Sequence, residues 1–242
     1  SSSPHIDIAE DTRSLMLDVI IALTPALLLS VFYFGFRALI LTLISVASCI
    51  AFEFLYRRLM KKHTTIGDLS AVVTGILIAF NLPASAPYWM VVVGEFFAIV
   101  IVKQLYGGLG KNFMNPALAA RAFLLSWPTT MSTWPTVFEK VPLIGQTADV
   151  VTAATPLAAL KSGTLPDNTL MELLLGQHGG TLGETSAIVL LIGGVYLVLR
   201  KVISPRIPLF YIGTVAVVTF IFPRGGVNNL QWMLYNVLSG GL

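Results

Sequence analysis

A single cysteine, Cys49, and three histidines, His5, His63 and His178, are all that this 242-residue chain offers in soft metal ligands. One thiol inside an apolar run can build no intrachain disulfide, thiolate zinc site or iron–sulfur cluster, so any such centre must belong to a partner. The histidines lie far apart in polar segments, which argues against haem or metal ligation within the chain. Charge is scarce as well: 11% of residues are charged against 55% hydrophobic, and the mean hydropathy is +0.81. That balance excludes a soluble domain and assigns the chain to a bilayer. The pI near 9.1 calls for no nucleic-acid partner, because the surplus Lys and Arg flank apolar runs, where they set topology. Gly107-Gly108-Leu109-Gly110-Lys111-Asn112 fails the phosphate-loop pattern, which needs glycine at Leu105 and Ser or Thr at Asn112. No Ser/His/Asp arrangement or close carboxylate pair demands hydrolytic chemistry. The first twelve residues lack the basic region and apolar core of a cleavable signal peptide, so the first helix is expected to serve as its own insertion signal.

What is present is a series of apolar runs: Leu15 to Phe34, Ala38 to Leu55, Leu69 to Leu82, Tyr88 to Tyr106, Pro116 to Trp127, Ser186 to Leu199 and Ile207 to Phe222. Another begins at Leu230 and stops short of a crossing, which suggests missing C-terminal residues. The pattern predicts an all-α polytopic membrane helix bundle forming one domain, with a 57-residue loop, 128–184, between the fifth and sixth runs. Leu69 to Leu82 and Pro116 to Trp127 are short for an untilted span of roughly 20 residues. They read either as broken spans of the kind that mark a binding site or ion path, or as ordinary tilted helices. Arg57, Arg58, Lys61 and Lys62 form the densest basic cluster and are expected on the cytoplasmic side. Alternate threading adds Arg13, Lys103, Lys111, Arg200, Lys201 and Arg206 to that side and leaves Arg37, Lys140, Lys161 and Arg224 outside. The N-terminus is then cytoplasmic and the 128–184 loop faces outward.

Asn115-Pro116 predicts a helix start, with an N-cap residue and a proline at the first helical position. Thr65-Ile66-Gly67-Asp68 and Thr181-Leu182-Gly183-Glu184 each have capping-box spacing. Extended into Ser70-Ala71-Val72-Val73 and Ser186-Ala187-Ile188-Val189, they suggest two inverted repeats of about five helices, incomplete at the C-terminus. Among ionisable residues inside the runs, Asp18, Glu53 and Lys103 lie near the cytoplasmic ends and are expected to snorkel. Glu95 and Arg121 lie deeper. Glu95 reads as a cation or proton relay or as half of a structural pair. Arg121 reads as a phosphate ligand or as the partner of Glu95.

Within the outer loop stands Asp149-Val150-Val151-Thr152-Ala153-Ala154-Thr155. Pro156 biases Thr155 toward an extended backbone, which leaves its hydroxyl within reach of a modifying enzyme. The heptad resembles the covalent flavinylation motif Asp-x-x-Ser/Thr-x-Ala-Thr, in which a flavin transferase joins FMN through its phosphate to the last threonine. Further segments fall in the order of one family: Ser2-Ser3-Pro4-His5, Thr74 to Leu77 running to Asn81-Leu82-Pro83, Gly107 to Pro116 with Arg121-Ala122-Phe123, and Gly183 to Ala187. With them the chain resembles the RnfD family, the D subunits of the Rnf ion-translocating oxidoreductases, related to the B subunit of the sodium-pumping NADH:quinone reductase. Relatives continue to about ten helices in all, beyond the end of this chain.

That resemblance implies FMN in phosphoester linkage to Thr155, with Asp149 and Thr152 recognised by the transferase and Ala153 and Ala154 giving clearance. It leaves a second, noncovalent flavin open. Arg121, Asn81 and Thr185 are the candidate contacts of the flavin. The implied role is electron relay between ferredoxin and NAD+, coupled to Na+ or H+ transport, by a polypeptide that is not catalytic alone. Partners would be the A, B, C, E and G proteins of the Rnf complex, the flavin transferase and lipid, in a bacterial or archaeal cytoplasmic membrane. The competing readings are a non-redox channel or transporter of the urea-channel-like kind, the quinone-reductase B subunit, and a passive scaffold.

Overall fold

The computed structural model describes residues 11–138, 141–143, 155–184 and 186–241. Among them every regular element is helical. Two long apolar helices, α1 (Thr12–Phe34) and α2 (Phe36–Leu59), are 23 and 24 residues long. At about 1.5 Å per residue each spans roughly 35 Å, enough for a hydrocarbon core of about 30 Å. Only Gly35 separates them. Its φ of 78° is open to glycine without a Cβ clash, and its N–H closes the end of α1 on the Val31 carbonyl at 2.9 Å. The bundle continues with α3 (Ser70–Phe80), α4 (Tyr88–Phe96), which runs on as a π-helix over Phe97–Gln104, and α5 (Pro116–Leu124). The 128–184 loop is more structured than predicted: it holds the short helices α6 (Pro128–Met131), α7 (Pro156–Lys161) and α8 (Leu170–Leu175). After it come α9 (Ala187–Leu199), α10 (Arg206–Ile221) and α11 (Asn229–Asn236), the last extended by a π segment over Val237–Gly241.

Each apolar run carries a helix whose limits fall within a few residues of the run's own. At 11 and 9 residues, α3 and α5 cover roughly half a bilayer core each.

Helix starts follow the local chemistry, with one correction. Asn115 caps α5 as predicted, its Oδ1 accepting from Ala117 N at 2.9 Å and Leu118 N at 3.4 Å. The two proposed capping boxes do not form. Thr65 Oγ1 donates instead to the Glu53 carboxylate, and Asp68 Oδ1 takes the Ser70 N–H at 2.8 Å. Among the described residues the buried Thr181 Oγ1 has no hydrogen-bond partner, and Ser186 caps α9. Thr65 gives its hydrogen to the second oxygen of the buried Glu53 carboxylate, because a buried acceptor left unsatisfied costs more than an open helix end near solvent. The box that does form, Thr169 with Glu172, starts α8. A 3₁₀ turn nevertheless precedes both α3 (Ile66–Asp68) and α9 (Leu182–Glu184), in line with the suggested repeat.

The two ends of the bundle are chemically distinct. At one end Asp18 pairs with Arg200 at 3.2 Å and Arg57 bonds Gln104 at 3.1 Å. At the other, the Leu182 N–H bonds the Leu82 carbonyl at 3.0 Å and the Tyr33 hydroxyl donates to the Leu175 carbonyl at 2.8 Å. There Arg37, 3% exposed, donates to the carbonyls of Ala84 at 2.8 Å, Ala86 at 3.0 Å and Pro142 at 2.6 Å. It pins the 82–86 turn and the 141–143 segment to the start of α2. The α3 and α9 helices run in opposite directions between these ends. The core lies between α1, α2, α3, α4 and α5, around Phe34, Leu41, Ile78, Met90 and Leu124. By contrast α10 has no buried residue, as an apolar helix facing lipid requires.

A close backbone approach joins α2 and α3. A Cβ on Gly75 would stand 2.7 Å from Val46 Cα, whereas one on Gly194 in α9 would meet nothing within 4 Å. Gly75→Val is expected to destabilise the protein by roughly 1–3 kcal/mol, the range for overpacking, and Gly194→Val to leave it nearly unchanged. Thermal unfolding in detergent checks the pair.

Candidate functional site

Three groups of polar side chains stand out against the apolar packing. The first is Thr155, the end of the flavinylation-like heptad. It is the N-cap of α7, half-buried, with φ −71° and ψ 146°. The extended backbone predicted from Pro156 is therefore present. Its Oγ1 accepts from the Ala158 N–H at 3.3 Å, a bond that an ester oxygen at the same position can still accept. Asp149, Thr152 and Ala154 lie outside the described residues, as does Thr185.

The second group gathers at the C-terminal ends of α3 and α5. Arg121 Nη1 donates to Asn81 Oδ1 at 2.8 Å and lies 3.8 Å from Glu184 Oε1. Asn81 is oriented by its own Nδ2, which donates to the Leu77 carbonyl at 2.7 Å. Two of the candidate flavin contacts, Arg121 and Asn81, are thus neighbours. The alternative that paired Arg121 with Glu95 is not what the fold does: the guanidinium, 36% exposed, sits at the bundle mouth. Among the described residues no hydrogen bond links this group to Thr155.

The third group is buried, and sequence reasoning resolved little of it. Along α2, Ser45, Cys49, Glu53 and Arg57 recur every four residues and so share one helix face. Glu53 and Lys103 do not snorkel. Both are buried, at 0% and 2% exposure, and pair directly at 2.7 Å. Lys103 Nζ also donates to Ser70 Oγ at 2.7 Å, and Ser70 Oγ in turn donates to Asp68 Oδ1 at 2.6 Å. Asp18 is likewise buried and held by Arg200 and by the Tyr196 hydroxyl at 2.9 Å. These acids bond inward because side chains from neighbouring elements reach them, which one helix read alone cannot show. Farther along the same α2 face, the Glu95 carboxyl meets Ser45 Oγ through Oε1 and Cys49 Sγ through Oε2 at 2.6 Å. The four-residue recurrence on α2 was the available signal for Ser45 and Cys49.

Comparison with known proteins assigns this architecture. The model of the NQR2, RnfD, RnfE family matches residues 1–242. The chain belongs to that family. It is 51% identical over 248 residues to the D subunit of the Na(+)-translocating ferredoxin:NAD(+) oxidoreductase complex of Acetobacterium woodii, covering 100% of this chain and 73% of the relative. It is 38% identical over 256 residues to the D subunit of the proton-translocating ferredoxin:NAD(+) oxidoreductase complex of Clostridium ljungdahlii, covering 100% and 74%. The D subunit of an ion-translocating oxidoreductase complex from Rhodobacter capsulatus is 36% identical over 92% of this chain and 70% of its own length. With its long apolar helices, this member of the NQR2, RnfD, RnfE family is a membrane protein.

The buried pair generates a prediction. Lys103→Met leaves Glu53 buried without its counter-charge and is expected to destabilise by about 3–5 kcal/mol, whereas Glu53→Leu/Lys103→Met together regains most of that loss. Unfolding in detergent compares the three proteins. A snorkelling pair would give near-neutral single variants.

Proposed function

We propose that this chain is a membrane subunit of an ion-translocating ferredoxin:NAD+ oxidoreductase, that it carries FMN on Thr155, and that it relays electrons in a process coupled to Na+ or H+ movement. The observation that carries this assignment is 51% identity along the whole chain to a relative named as the D subunit of such a complex. Other subunits of that complex are then its partners, with a flavin transferase for maturation.

The flavin reading rests on the heptad together with the state of its last residue. Covalent attachment needs a hydroxyl on extended chain, reachable from outside and not locked as a donor. Thr155 fits: it is half-buried at the start of a short helix, and its oxygen serves as an acceptor there. Bound FMN would supply reversible electron acceptance. The chain would supply the anchor at Thr155, with Asp149, Thr152 and Ala154 as the transferase's recognition sequence. Arg121 and Asn81, with Thr185 nearby in sequence, offer donors for the polar parts of the flavin, and the adjacent apolar core excludes water.

Topology supports an outward-facing flavin. The segment from α7 to the Leu182–Glu184 turn docks on the Tyr33 and Leu82 end, opposite the Arg57, Arg58, Lys61 and Lys62 cluster. By the charge rule that cluster is cytoplasmic, so Thr155 lies on the outer face.

Intact-mass and peptide mass spectrometry of the protein co-expressed with a flavin transferase tests the attachment. The expected result is an FMN adduct on the Thr155 peptide, absent in Thr155→Ala. That variant loses a cap worth about 0.5–2 kcal/mol, so a thermal melt confirms that it still folds. An unmodified wild type that inserts and folds would instead favour a channel or scaffold.

A further inference from the structure

The hydrogen atoms around Glu95 do not add up if its carboxyl is ionised. Glu95 is fully buried within α4, as are Ser45 and Cys49, all at 0% exposure. Its Oε1 contacts Ser45 Oγ, and its Oε2 lies 2.6 Å from Cys49 Sγ. Ser45 Oγ also lies 2.6 Å from the Gly75 carbonyl oxygen. A carbonyl only accepts, and a serine hydroxyl has one hydrogen, so that hydrogen belongs to the bond with Gly75. The contact between Ser45 and Glu95 then needs a hydrogen from Glu95 itself.

We propose that Glu95 is a neutral carboxylic acid and the proton-exchanging group of this bundle, at the centre of a chain in which Cys49 donates to Glu95, Glu95 to Ser45, and Ser45 to the Gly75 carbonyl. Charge placement agrees. Ser45 and Cys49 of α2 contact Glu95 directly, and the elements packed against α4 carry three further charged groups: Glu53 on α2, Lys103 on the π continuation and Arg121 on α5. Lys103 is bound to Glu53 and Ser70, and Arg121 to Asn81. Neither cation neutralises Glu95, and an unpaired carboxylate in such surroundings is costly.

The same arrangement offers a way for the proton to leave. On deprotonation the Ser45 hydroxyl turns from the Gly75 carbonyl to Oε1, and the proton passes to solvent at the Arg57 end. On that side, one helical turn along α2 from Cys49, lies the Glu53–Lys103 pair. The helix carrying Glu95 changes to π geometry at Phe97, immediately after α4. Such segments often mark functional positions and leave room for a local shift of register. Protonation of Glu95 stands on the hydrogen count alone, while a role in ion coupling rests on the function proposed above.

Infrared difference spectroscopy of the purified chain in lipid vesicles, without flavin, tests the protonation. A carbonyl band of a protonated carboxyl group is expected at neutral pH, shifted in D2O, absent in Glu95→Gln, displaced in Ser45→Ala, and reversibly lost at alkaline pH. No band at neutral pH, or a band that survives Glu95→Gln, overturns the neutral acid. A band that persists at every pH at which the protein stays folded overturns the exchange. Thermal stability gives an independent reading: Glu95→Gln keeps one donor and one acceptor and should melt no lower than wild type. An ionised Glu95 accepting both bonds would instead lose one and melt lower. If Glu95→Gln fails to fold, that outcome counts against the neutral acid, and the band displacement in Ser45→Ala decides independently. These samples contain no FMN, so failure of flavin attachment leaves the result untouched.

Discussion

Burying polar groups without water is the constraint on which the bundle depends. In a bilayer each buried donor, acceptor and charge must find its partner within the protein. The face of α2 that carries Ser45, Cys49, Glu53 and Arg57 does this by meeting α3 and the continuation of α4, which bring Gly75, Ser70, Glu95, Lys103 and Gln104 to it. Glycine at position 75 lets the α2 and α3 backbones come close enough for the Ser45 hydroxyl to reach a main-chain carbonyl. Packing and polar pairing are thus one arrangement: separating α2 from α3 would expose both.

The opposite end uses a different device. Arg37 has no carboxylate partner among the described residues. Its guanidinium is spent on main-chain carbonyls of the turn after α3 and of the 128–184 loop. A planar fork of donors can tie together several strands of irregular backbone, which a lysine cannot do as well. Together with the bond between Leu182 and Leu82, this ties segments on both sides of α7 to the end of the bundle where Asn81 and Arg121 meet. A half-span α3 is useful there, because its early end leaves polar side chains at that mouth instead of burying them in lipid.

Much of this was legible beforehand. Helix limits followed from uninterrupted apolar runs, since a lipid-spanning segment leaves few sequence alternatives, and Asn115-Pro116 marked a helix start that needs only local chemistry. The proposed box at Thr65 failed because a cap competes with whatever the fold brings near. Thr65 had a buried carboxylate beside it, contributed by α2, and nothing in Thr65-Ile66-Gly67-Asp68 reveals that. The same reason explains Glu53 and Lys103. Fifty residues apart in sequence, each looked free to reach the interface until α2 and the α4 continuation were seen side by side.

The sequence by itself determined the class of protein, the rough limits of its long apolar helices, the family it belongs to and the heptad ending at Thr155, because these depend on composition, local backbone preference and order along the chain. The tertiary structure alone decided which charges pair, that Arg121 turns to Asn81 and not to Glu95, and that Ser45 and Cys49 close around Glu95. Those outcomes depend on short-range forces between residues far apart in sequence, which come within a few ångströms of each other only after the helices have packed.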